Sequence, residues 1–371
     1  MRILIAPDKF KGSLTAAQAA VAMAEGALAI YPDAEAVQAP IADGGEGTLE
    51  AAVAAGFEER IRAVTGPLIK PVGAAWALRG TTAVIETAQS SGLAALGSEP
   101  DAETAGRAHS YGAGQLIAAA LDAGAREIVL GLGGSAMTDG GSGALRALGL
   151  RPLDAHGNVV PLGGAALAEV AAVDVSALDP RLAAARLRIA VDVRNPLVGP
   201  DGAAHIFGPQ KGADQETVER LDAGLRTWAK VLAEATGRDV DVPGAGAAGG
   251  FPAGFLAFTD ATLESGFALV AEMVGLEDRL AGADLVITGE GSLDGQSLTG
   301  KAPIALADRA RDRGIPVVAV AGQILAEPEE LAEHGIEAAG ALVDLAPTPA
   351  DAIVHAAEYV RRAVAELLAG A

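Results

Sequence analysis

Residues 2–32, with the sequence RILIAPDKFKGSLTAAQAAVAMAEGALAIYP, run from an apolar segment through a polar loop into an alanine-rich segment. The apolar residues 2–6 predict a buried strand, because a short apolar run bounded by a polar loop is typical of one. The alanine-rich part predicts a helix with Ser13 or Thr15 as its N-cap. The chain therefore begins with a strand, a loop and a helix.

The same order of elements recurs near the other end of the chain. Residues 284–288 (DLVIT) predict a strand, and the loop GEGSLDGQSLTGK follows it at 289–301. A helix is predicted from Ala302, with Pro303 in its first turn, and residues 317–321 predict a further strand. This alternation indicates an α/β fold with a mostly parallel sheet covered by helices on both faces.

The middle of the chain has a different pattern, which suggests a second domain. A chain of 371 residues is long for one core and suits two domains. Residues 71–88 predict short antiparallel strands joined by a turn at Arg79–Gly80. We therefore predict one α/β domain formed by both chain ends, residues 1–76 and 282–371, and an inserted second α/β domain at 77–281.

Composition and charge exclude several classes of function. The net charge is −21, and a field of that sign repels nucleic acid and anionic membranes, so neither is an expected partner. The chain has no cysteine, which excludes thiolate catalysis and cysteine-ligated zinc. No apolar run approaches the roughly 20 residues that span a bilayer, and the N-terminal residues lack the pattern of a secretory signal. We therefore expect a cytoplasmic protein.

Four of the six lysines lie beside glycines in polar loops: Lys9, Lys11, Lys211 and Lys301. One such lysine alone is better explained as a surface residue in a turn. Lysine is a compact point charge and glycine lets the backbone approach a ligand, so four such sites favour loops that bind an anion such as phosphate. Because the protein is strongly acidic, an anionic ligand needs this local positive charge and a cation such as Mg²⁺.

Two of the glycine loops nearly match named nucleotide-binding motifs. Residues 295–301 (GQSLTGK) have the spacing of a Walker loop, but Ala302 stands where serine or threonine would contact Mg²⁺. We therefore reject a true Walker loop and keep Lys301 as a phosphate contact. Residues 131–136 (GLGGSA) fit a dinucleotide pattern, but Asp139 and two glycines interrupt the start of the helix. A dinucleotide site is the weaker alternative.

Asp192 lies at the end of the apolar strand in LRIAVDVRNP (187–196) and has two interpretations. It can cap the turn that Asn195-Pro196 starts, which is a common use of aspartate. It can also act as a general base that its strand holds at the mouth of a cleft. Spacing alone favours neither interpretation.

Six loop motifs together resemble those of the bacterial glycerate kinase family. They occur in the family's order and spacing, and they are PDKFKGS (7–13), ADGGEGT (42–48), GLGGSAMTDGG (131–141), VDVRNPL (191–197), FGPQKGA (207–213) and TGEGSLDGQSLTGKAP (288–303). The resemblance implies an enzyme that uses Mg²⁺ and transfers the γ-phosphoryl group of ATP to D-glycerate, with 2-phosphoglycerate favoured over 3-phosphoglycerate as the product. It also implies a Rossmann-like domain and a second domain, with the active site in the cleft between them.

The same resemblance implies a role for each site residue. The residues expected to bind ATP are Gly133, Gly134, Ser135, Asp139, Gly289, Glu290, Gly291, Asp294 and Lys301. Some of Asp43, Glu290 and Asp294 are expected to bind Mg²⁺. The residues expected to bind glycerate or the transferring phosphoryl group are Asp8, Lys11, Ser13 and Lys211, with Lys11 also catalytic. Asp192 is expected to take the proton of the attacking hydroxyl group.

Some positions depart from the family pattern, and some alternatives stay open. Met137 and Thr138 stand where the family usually reads SATNDGG, Phe251-Pro252 replaces part of GGLG, and Arg194 replaces a smaller or acidic residue. A kinase of another hydroxy acid would use the same phosphate loops, whereas a non-catalytic nucleotide-binding module would need no base. The sequence does not reveal the oligomeric state, so a homo-oligomer stays open.

Overall fold

The computed structural model describes residues 1–370. The strands in this range are β1 (Arg2–Ile5), β2 (Glu35–Gln38), β3 (Glu58–Thr65), β4 (Pro71–Arg79), β5 (Thr82–Glu86), β6 (Glu127–Gly131), β7 (Arg151–Leu153), β8 (Ala172–Asp174), β9 (Arg186–Ala190), β10 (Thr262–Glu264), β11 (Leu285–Leu293), β12 (Val317–Ile324) and β13 (Ile336–Ala341).

Helices connect most of the strands. They are α1 (Ala16–Ile30), α2 (Thr48–Ala54), α3 (Ala88–Ser91), α4 (Ala102–Arg107), α5 (Tyr111–Asp122), α6 (Ser142–Ala147), α7 (Pro180–Ala184), α8 (Ala203–Phe207), α9 (Gln215–Thr236), α10 (Ala247–Phe258), α11 (Gly266–Met273), α12 (Leu276–Leu280), α13 (Ala302–Arg311), α14 (Pro328–Glu333), α15 (Leu342–Leu345), α16 (Pro349–Val354) and α17 (Ala356–Ala369). Thr15 caps α1, because its side chain accepts a hydrogen bond from the Gln18 amide (3.2 Å) and the Gln18 side chain accepts one from the Thr15 amide (3.0 Å). Within residues 1–370, no helix is long and apolar enough to cross a membrane.

The chain ends form one compact unit, which we call the chain-end unit. It comprises Met1–Asp43, Glu50–Gly56 and the described residues from Phe267 onward. Its sheet has the order β13-β12-β11-β1-β2, and each neighbouring pair is parallel. The middle of this sheet is buried, and α1 and α17 pack against each other beside it. The carboxyl ends of β1, β2 and β11 therefore lie side by side at one edge.

The rest of the chain forms a second compact unit, which we call the central unit. It comprises Gly44–Leu49 and Phe57–Gly266. Its main sheet has the order β10-β9-β6-β5-β4-β3, in which β5, β6, β9 and β10 are parallel and β3, β4 and β5 are antiparallel. The predicted turn at Arg79–Gly80 lies between β4 and β5, as expected. The two sheets confirm the predicted α/β fold class.

The boundary between the compact units differs from the predicted boundary, most of all at residues 57–76. We predicted that residues up to 76 belong with the chain ends, but β3 and β4 pair with each other and β4 pairs with β5. Residues 57–76 therefore lie in the central unit. The sequence does not reveal this pairing, because an antiparallel hairpin has the same local pattern whichever sheet it extends.

Candidate active site

Asp8 is held at the carboxyl end of β1 by backbone hydrogen bonds on both sides. Its amide donates to the Gly289 carbonyl oxygen in β11 (2.8 Å), and the Ile41 amide after β2 donates to the Pro7 carbonyl oxygen (3.0 Å). The side chain is 6% exposed, and its Oδ1 accepts a hydrogen bond from the Lys9 amide (2.6 Å). The carboxylate of Asp8 therefore lies in a fixed, nearly dry position at the centre of this sheet edge.

Burial and neighbouring carboxylates affect the pKa of Asp8. Burial and, next, the negative charge of Asp43 raise the pKa of Asp8 to about 7, with Glu290 adding to the rise and Lys9 opposing it. Charges act in this way only when they are close together. Asp8 and Asp43, which follow β1 and β2, thus form a carboxylate cluster with Glu290, which lies within β11.

Glu290 is the member of this cluster with an unsatisfied atom. Its side chain is 8% exposed, and its buried Oε1 has no hydrogen-bond partner among the described residues. Burial is the main cause that raises the pKa of Glu290, whereas Ser297 and the positive charge of Lys301 oppose the rise. A buried carboxylate oxygen without a partner is costly unless a cation or water completes its contacts.

Lys11 lies at the tip of a tight turn beside β11. The turn is closed by Phe10 and Leu14, and the Ser13 hydroxyl donates to the Phe10 carbonyl oxygen (3.1 Å). Gly291 allows this turn to approach β11, because a Cβ at that position would lie 2.9 Å from the Lys11 amide nitrogen. Lys11 is exposed and Ser13 is half-buried, so both side chains are accessible to a ligand.

The loop after β11 is shaped by Asp294 and ends at Lys301. Asp294 Oδ1 accepts hydrogen bonds from the amides of Gln296 (2.9 Å) and Ser297 (3.1 Å). The backbone hydrogen bond from Ser297 is the main cause that lowers the pKa of Asp294. Asp294 therefore organises the loop, and its Oδ2 also accepts a hydrogen bond from the Ser292 hydroxyl (3.3 Å). Lys301 stands at the N-cap of α13 with a half-buried side chain.

The three acids predicted to bind Mg²⁺ have the right type of donor atom. Within residues 1–370, no group of three or more His, Cys, Asp or Glu side chains is arranged to hold a metal ion by itself. Mg²⁺ usually keeps several waters and binds through one or two carboxylates together with substrate phosphates, so it does not need such a cage. Asp43 and Glu290, with the unpartnered Oε1 of Glu290, fit that mode of binding.

In the central unit, the loop after β6 contacts the ADGGEGT segment. The Leu132 amide donates to the Gly44 carbonyl oxygen (3.2 Å), and a Cβ at Gly133 would lie 2.6 Å from the Cα atom of Gly45. Only glycine allows this approach. Gly134 has a φ of 69°, and Ser135 pairs with Gly92. The predicted ATP-binding residues 133–135 therefore share a loop with a fixed backbone at the carboxyl end of β6.

Asp139, also predicted to bind ATP, is occupied by contacts inside the protein. It is fully buried, and its carboxylate accepts hydrogen bonds from the Ser110 amide (2.8 Å), the Ser110 hydroxyl (2.9 Å) and the amides of Gly141 (3.2 Å) and Gly143 (3.1 Å). These contacts join the start of α5 to the start of α6. They favour a role in shaping the loop over direct contact with a nucleotide.

Lys211, predicted to bind the substrate, is buried in the central unit. It is 2% exposed, and its Nζ donates a hydrogen bond to the Met137 carbonyl oxygen (2.6 Å). Burial lowers the pKa of Lys211 to about 7, against the opposing effect of the Asp139 charge. Direct contact with glycerate would require this lysine to leave its present position.

Asp192 follows β9, and its carboxylate contacts the start of α11. It lies at the carboxyl end of the parallel strands and is exposed, so a substrate hydroxyl group can reach it. Its Oδ1 also accepts a hydrogen bond from the Gly266 amide (3.0 Å), at the start of α11. This contact fixes the carboxylate without excluding either role.

The sequence analysis missed Glu86, which lies at the carboxyl end of β5. It is 4% exposed, and its Oε1 accepts a hydrogen bond from the Leu49 amide (2.8 Å) in the first turn of α2. This contact positions the end of the ADGGEGT segment. Glu86 ends the apolar strand TAVIE, just as Asp192 stands at the end of an apolar strand. This pattern of an acid at a strand end could have identified Glu86 from the sequence.

The chain is similar in sequence to known glycerate kinases. A family model described as the glycerate kinase family matches residues 3–370. The chain is 46% identical to the glycerate 2-kinase of Escherichia coli (strain K12), over 91% of this chain and 89% of that protein. It is 43% identical to the glycerate kinase of Bacillus subtilis (strain 168), over 100% of this chain and 97% of that protein.

A solved structure is similar over the same length. The crystal structure of a putative glycerate kinase 2 from Salmonella typhimurium LT2 matches this chain with a TM-score of 0.86 and 42% sequence identity. The match covers 100% of this chain and 99% of the Salmonella chain. The predicted family and enzyme class, glycerate kinase, are thereby confirmed. The six motifs, the full-length match to the family model and the similarity of sequence and structure show that this chain belongs to the glycerate kinase family.

Proposed function

We propose that the protein transfers the γ-phosphoryl group of ATP to O2 of D-glycerate, giving 2-phosphoglycerate and ADP. The observation that carries the proposal is the carboxylate cluster of Asp8, Asp43 and Glu290 with Lys301 nearby, at the carboxyl ends of parallel strands. Ligands of open α/β sheets bind at such edges. The name of the Escherichia coli relative, glycerate 2-kinase, supports phosphorylation at O2.

The chain-end unit supplies the charges that phosphoryl transfer needs. Asp43 and Glu290, with Asp294, would hold Mg²⁺, which when bound neutralises charge on the phosphate oxygens. Lys301 would contact the phosphates beside the backbone of Gly289 and Gly291. Phosphoryl transfer depends on alignment and electrostatic stabilisation rather than covalent catalysis. The site must therefore neutralise the charge of the transferring group.

The acceptor would bind near the turn that carries Lys11. Its exposed ammonium group would pair with the glycerate carboxylate or the transferring phosphoryl group, and the Ser13 hydroxyl would donate to the same anion. The nearly dry carboxyl group of Asp8, with its pKa raised to about 7 by burial and Asp43, would accept or share a hydrogen bond with a glycerate hydroxyl. Lys11 is therefore the proposed catalytic cation.

The central unit would supply the remaining ATP contacts and the base. Backbone amides of Gly133, Gly134 and Ser135 would bind phosphate oxygens at the carboxyl end of β6. Asp192 would take the proton from the O2 hydroxyl as the bond to phosphorus forms. Asp139 would act by fixing the same loop. The Gly266 amide would hold the Asp192 carboxylate in one orientation during this step.

Several broader predictions belong to this proposal. We propose that the chain-end and central units are separate domains, each contributing part of the chemistry. The cleft that the family resemblance implies stays a prediction, as do a cytoplasmic location and a homo-oligomer.

The substrate can be tested with a coupled assay of ADP release over a panel of hydroxy acids. The proposal predicts rapid ADP formation with D-glycerate and much slower formation with lactate, glycolate and L-glycerate. A faster reaction with another acid would identify a different substrate for the same phosphate site. ATP binding without ADP formation on any acid would identify a nucleotide-binding module instead.

A further inference from the structure

Lys211 contacts the middle of the loop that the proposed function assigns to ATP. It ends the short 3₁₀ segment Pro209–Lys211, and its hydrogen bond to the Met137 carbonyl oxygen measures 2.6 Å. This is a hydrogen bond from a buried amine to a neutral backbone group. Burying an ionisable amine costs free energy, so its presence needs an explanation other than stability.

Other buried polar groups at or near this loop are only partly satisfied. Thr138 Oγ1 and His109 Nε2 are buried and have no hydrogen-bond partner among the described residues. The charge of Asp139 acts on both Lys211 and His109, and Arg146 acts on His109 as well. Optimised cores avoid such groups, whereas functional sites keep them.

The Met137 peptide lies between two anchored parts of the loop. On one side, the Leu93 amide donates to the Gly134 carbonyl oxygen (2.9 Å) and the Ala136 amide donates to the Ser91 carbonyl oxygen (2.9 Å). On the other side, Asp139 is fixed by its hydrogen bonds to the starts of α5 and α6. The contact with Lys211 orients the peptide that joins these parts.

We propose that Lys211 is a positioning residue for nucleotide binding: its hydrogen bond to the Met137 carbonyl oxygen holds the 133–139 loop in the conformation that accepts the phosphates of ATP. This inference rests on the proposed function of that loop. It replaces the expectation that Lys211 contacts glycerate directly. The two roles make opposite predictions about which substrate a Lys211 variant binds poorly.

The test is Lys211→Met, which keeps the length and the apolar stem but removes the donor. The Kd for ATP, measured by calorimetry, and the KM for ATP should both rise on the order of tenfold to a hundredfold, the range expected for one hydrogen bond from a charged group. The KM for D-glycerate should stay within about twofold, because the acceptor site is not assigned to this loop. Lys230→Met is the matched control, since the Lys230 side chain is 75% exposed in the same unit, and it should match the wild type.

Each outcome decides between the two roles. A raised KM for D-glycerate with unchanged ATP affinity would overturn the inference and restore direct substrate contact. If Lys211→Met does not fold, Lys211→Gln is judged by the same two constants. If neither variant folds, the lysine serves the stability of the fold and the inference is wrong. Wild-type protein that neither binds ATP nor uses glycerate would instead refute the proposed function, so the two failures are distinguishable.

Discussion

Replacing Asp8 with asparagine should stabilise the protein above pH 7 when no Mg²⁺ or nucleotide is bound. Burial and the charge of Asp43 raise the pKa of this carboxyl group from 3.8 to about 7 in the folded protein. The folded state therefore keeps Asp8 protonated over a pH range in which the unfolded chain ionises it. The contribution of Asp8 to stability is fully present below pH 3.8 and is lost as the pH rises to about 7.

The size of the effect follows from that pH interval. Each pH unit between the two pKa values is worth about 1.4 kcal/mol, so the whole interval from 3.8 to about 7 is worth about 4 kcal/mol. Asparagine carries no charge at any of these pH values and keeps the shape of the side chain. The variant should therefore gain about 4 kcal/mol over the wild type between pH 4 and pH 8, most of it before pH 7. For a chain of 371 residues, this corresponds to roughly 5 °C in Tm.

The assay is thermal unfolding in EDTA at a series of pH values from 4 to 8, for wild type, Asp8→Asn and Asp33→Asn. Asp33 is an exposed acid of the same unit, so its variant controls for the loss of one negative charge. Adding Mg²⁺ should reduce the gain, because a cation at Asp43 and Glu290 would favour ionised Asp8. A difference in Tm between Asp8→Asn and wild type that does not grow with pH would refute the raised pKa of Asp8 in the carboxylate cluster.

Three further predictions concern catalysis. Lys301→Ala should mainly raise the KM for ATP, since a phosphate contact present in ground and transition states changes KM more than kcat; unchanged ATP kinetics would make its loop a simple turn. Activity should disappear in EDTA and return with Mg²⁺ or Mn²⁺, and full turnover without metal would rule out the roles of Asp43, Glu290 and Asp294. Asp192→Asn should fold, bind both substrates and lose on the order of 10²–10⁴-fold in kcat, because asparagine can cap α11 but cannot accept a proton. A normal Tm with near wild-type turnover would show that Asp192 is not the general base.

The sequence predicts the parallel strands and their loops well, because both depend on local patterns. The apolar runs at 2–6 and 284–288 overlap β1 and β11, and Thr15, one of the two predicted N-caps, caps α1. The acids Asp8 and Glu290 could be placed at one sheet edge because parallel strands end on the same side. What the sequence cannot predict is which sheet an antiparallel hairpin joins, and residues 57–76 lie in the central unit although the predicted boundary places them with the chain ends.

Burial of charged side chains is also hidden in the sequence. Lys211 lies in a polar, glycine-flanked motif like those of Lys11 and Lys301, yet it is buried whereas Lys11 is exposed. Asp139 resembles a ligand-binding acid in the same way, but it joins the starts of two helices. Motif residues that bind ligands and motif residues that shape a loop share the same local pattern, since both need glycines and charges at a strand end.

The central claim is that this chain phosphorylates D-glycerate at O2. The most direct measurement is ³¹P NMR of purified protein with ATP, Mg²⁺ and D-glycerate, followed over time against authentic 2-phosphoglycerate and 3-phosphoglycerate. We predict that the γ-phosphate signal of ATP decreases while those of ADP and 2-phosphoglycerate increase in equal amounts. A 3-phosphoglycerate signal would contradict the assignment to O2, and the absence of any phosphoglycerate signal would contradict the proposed function as a whole.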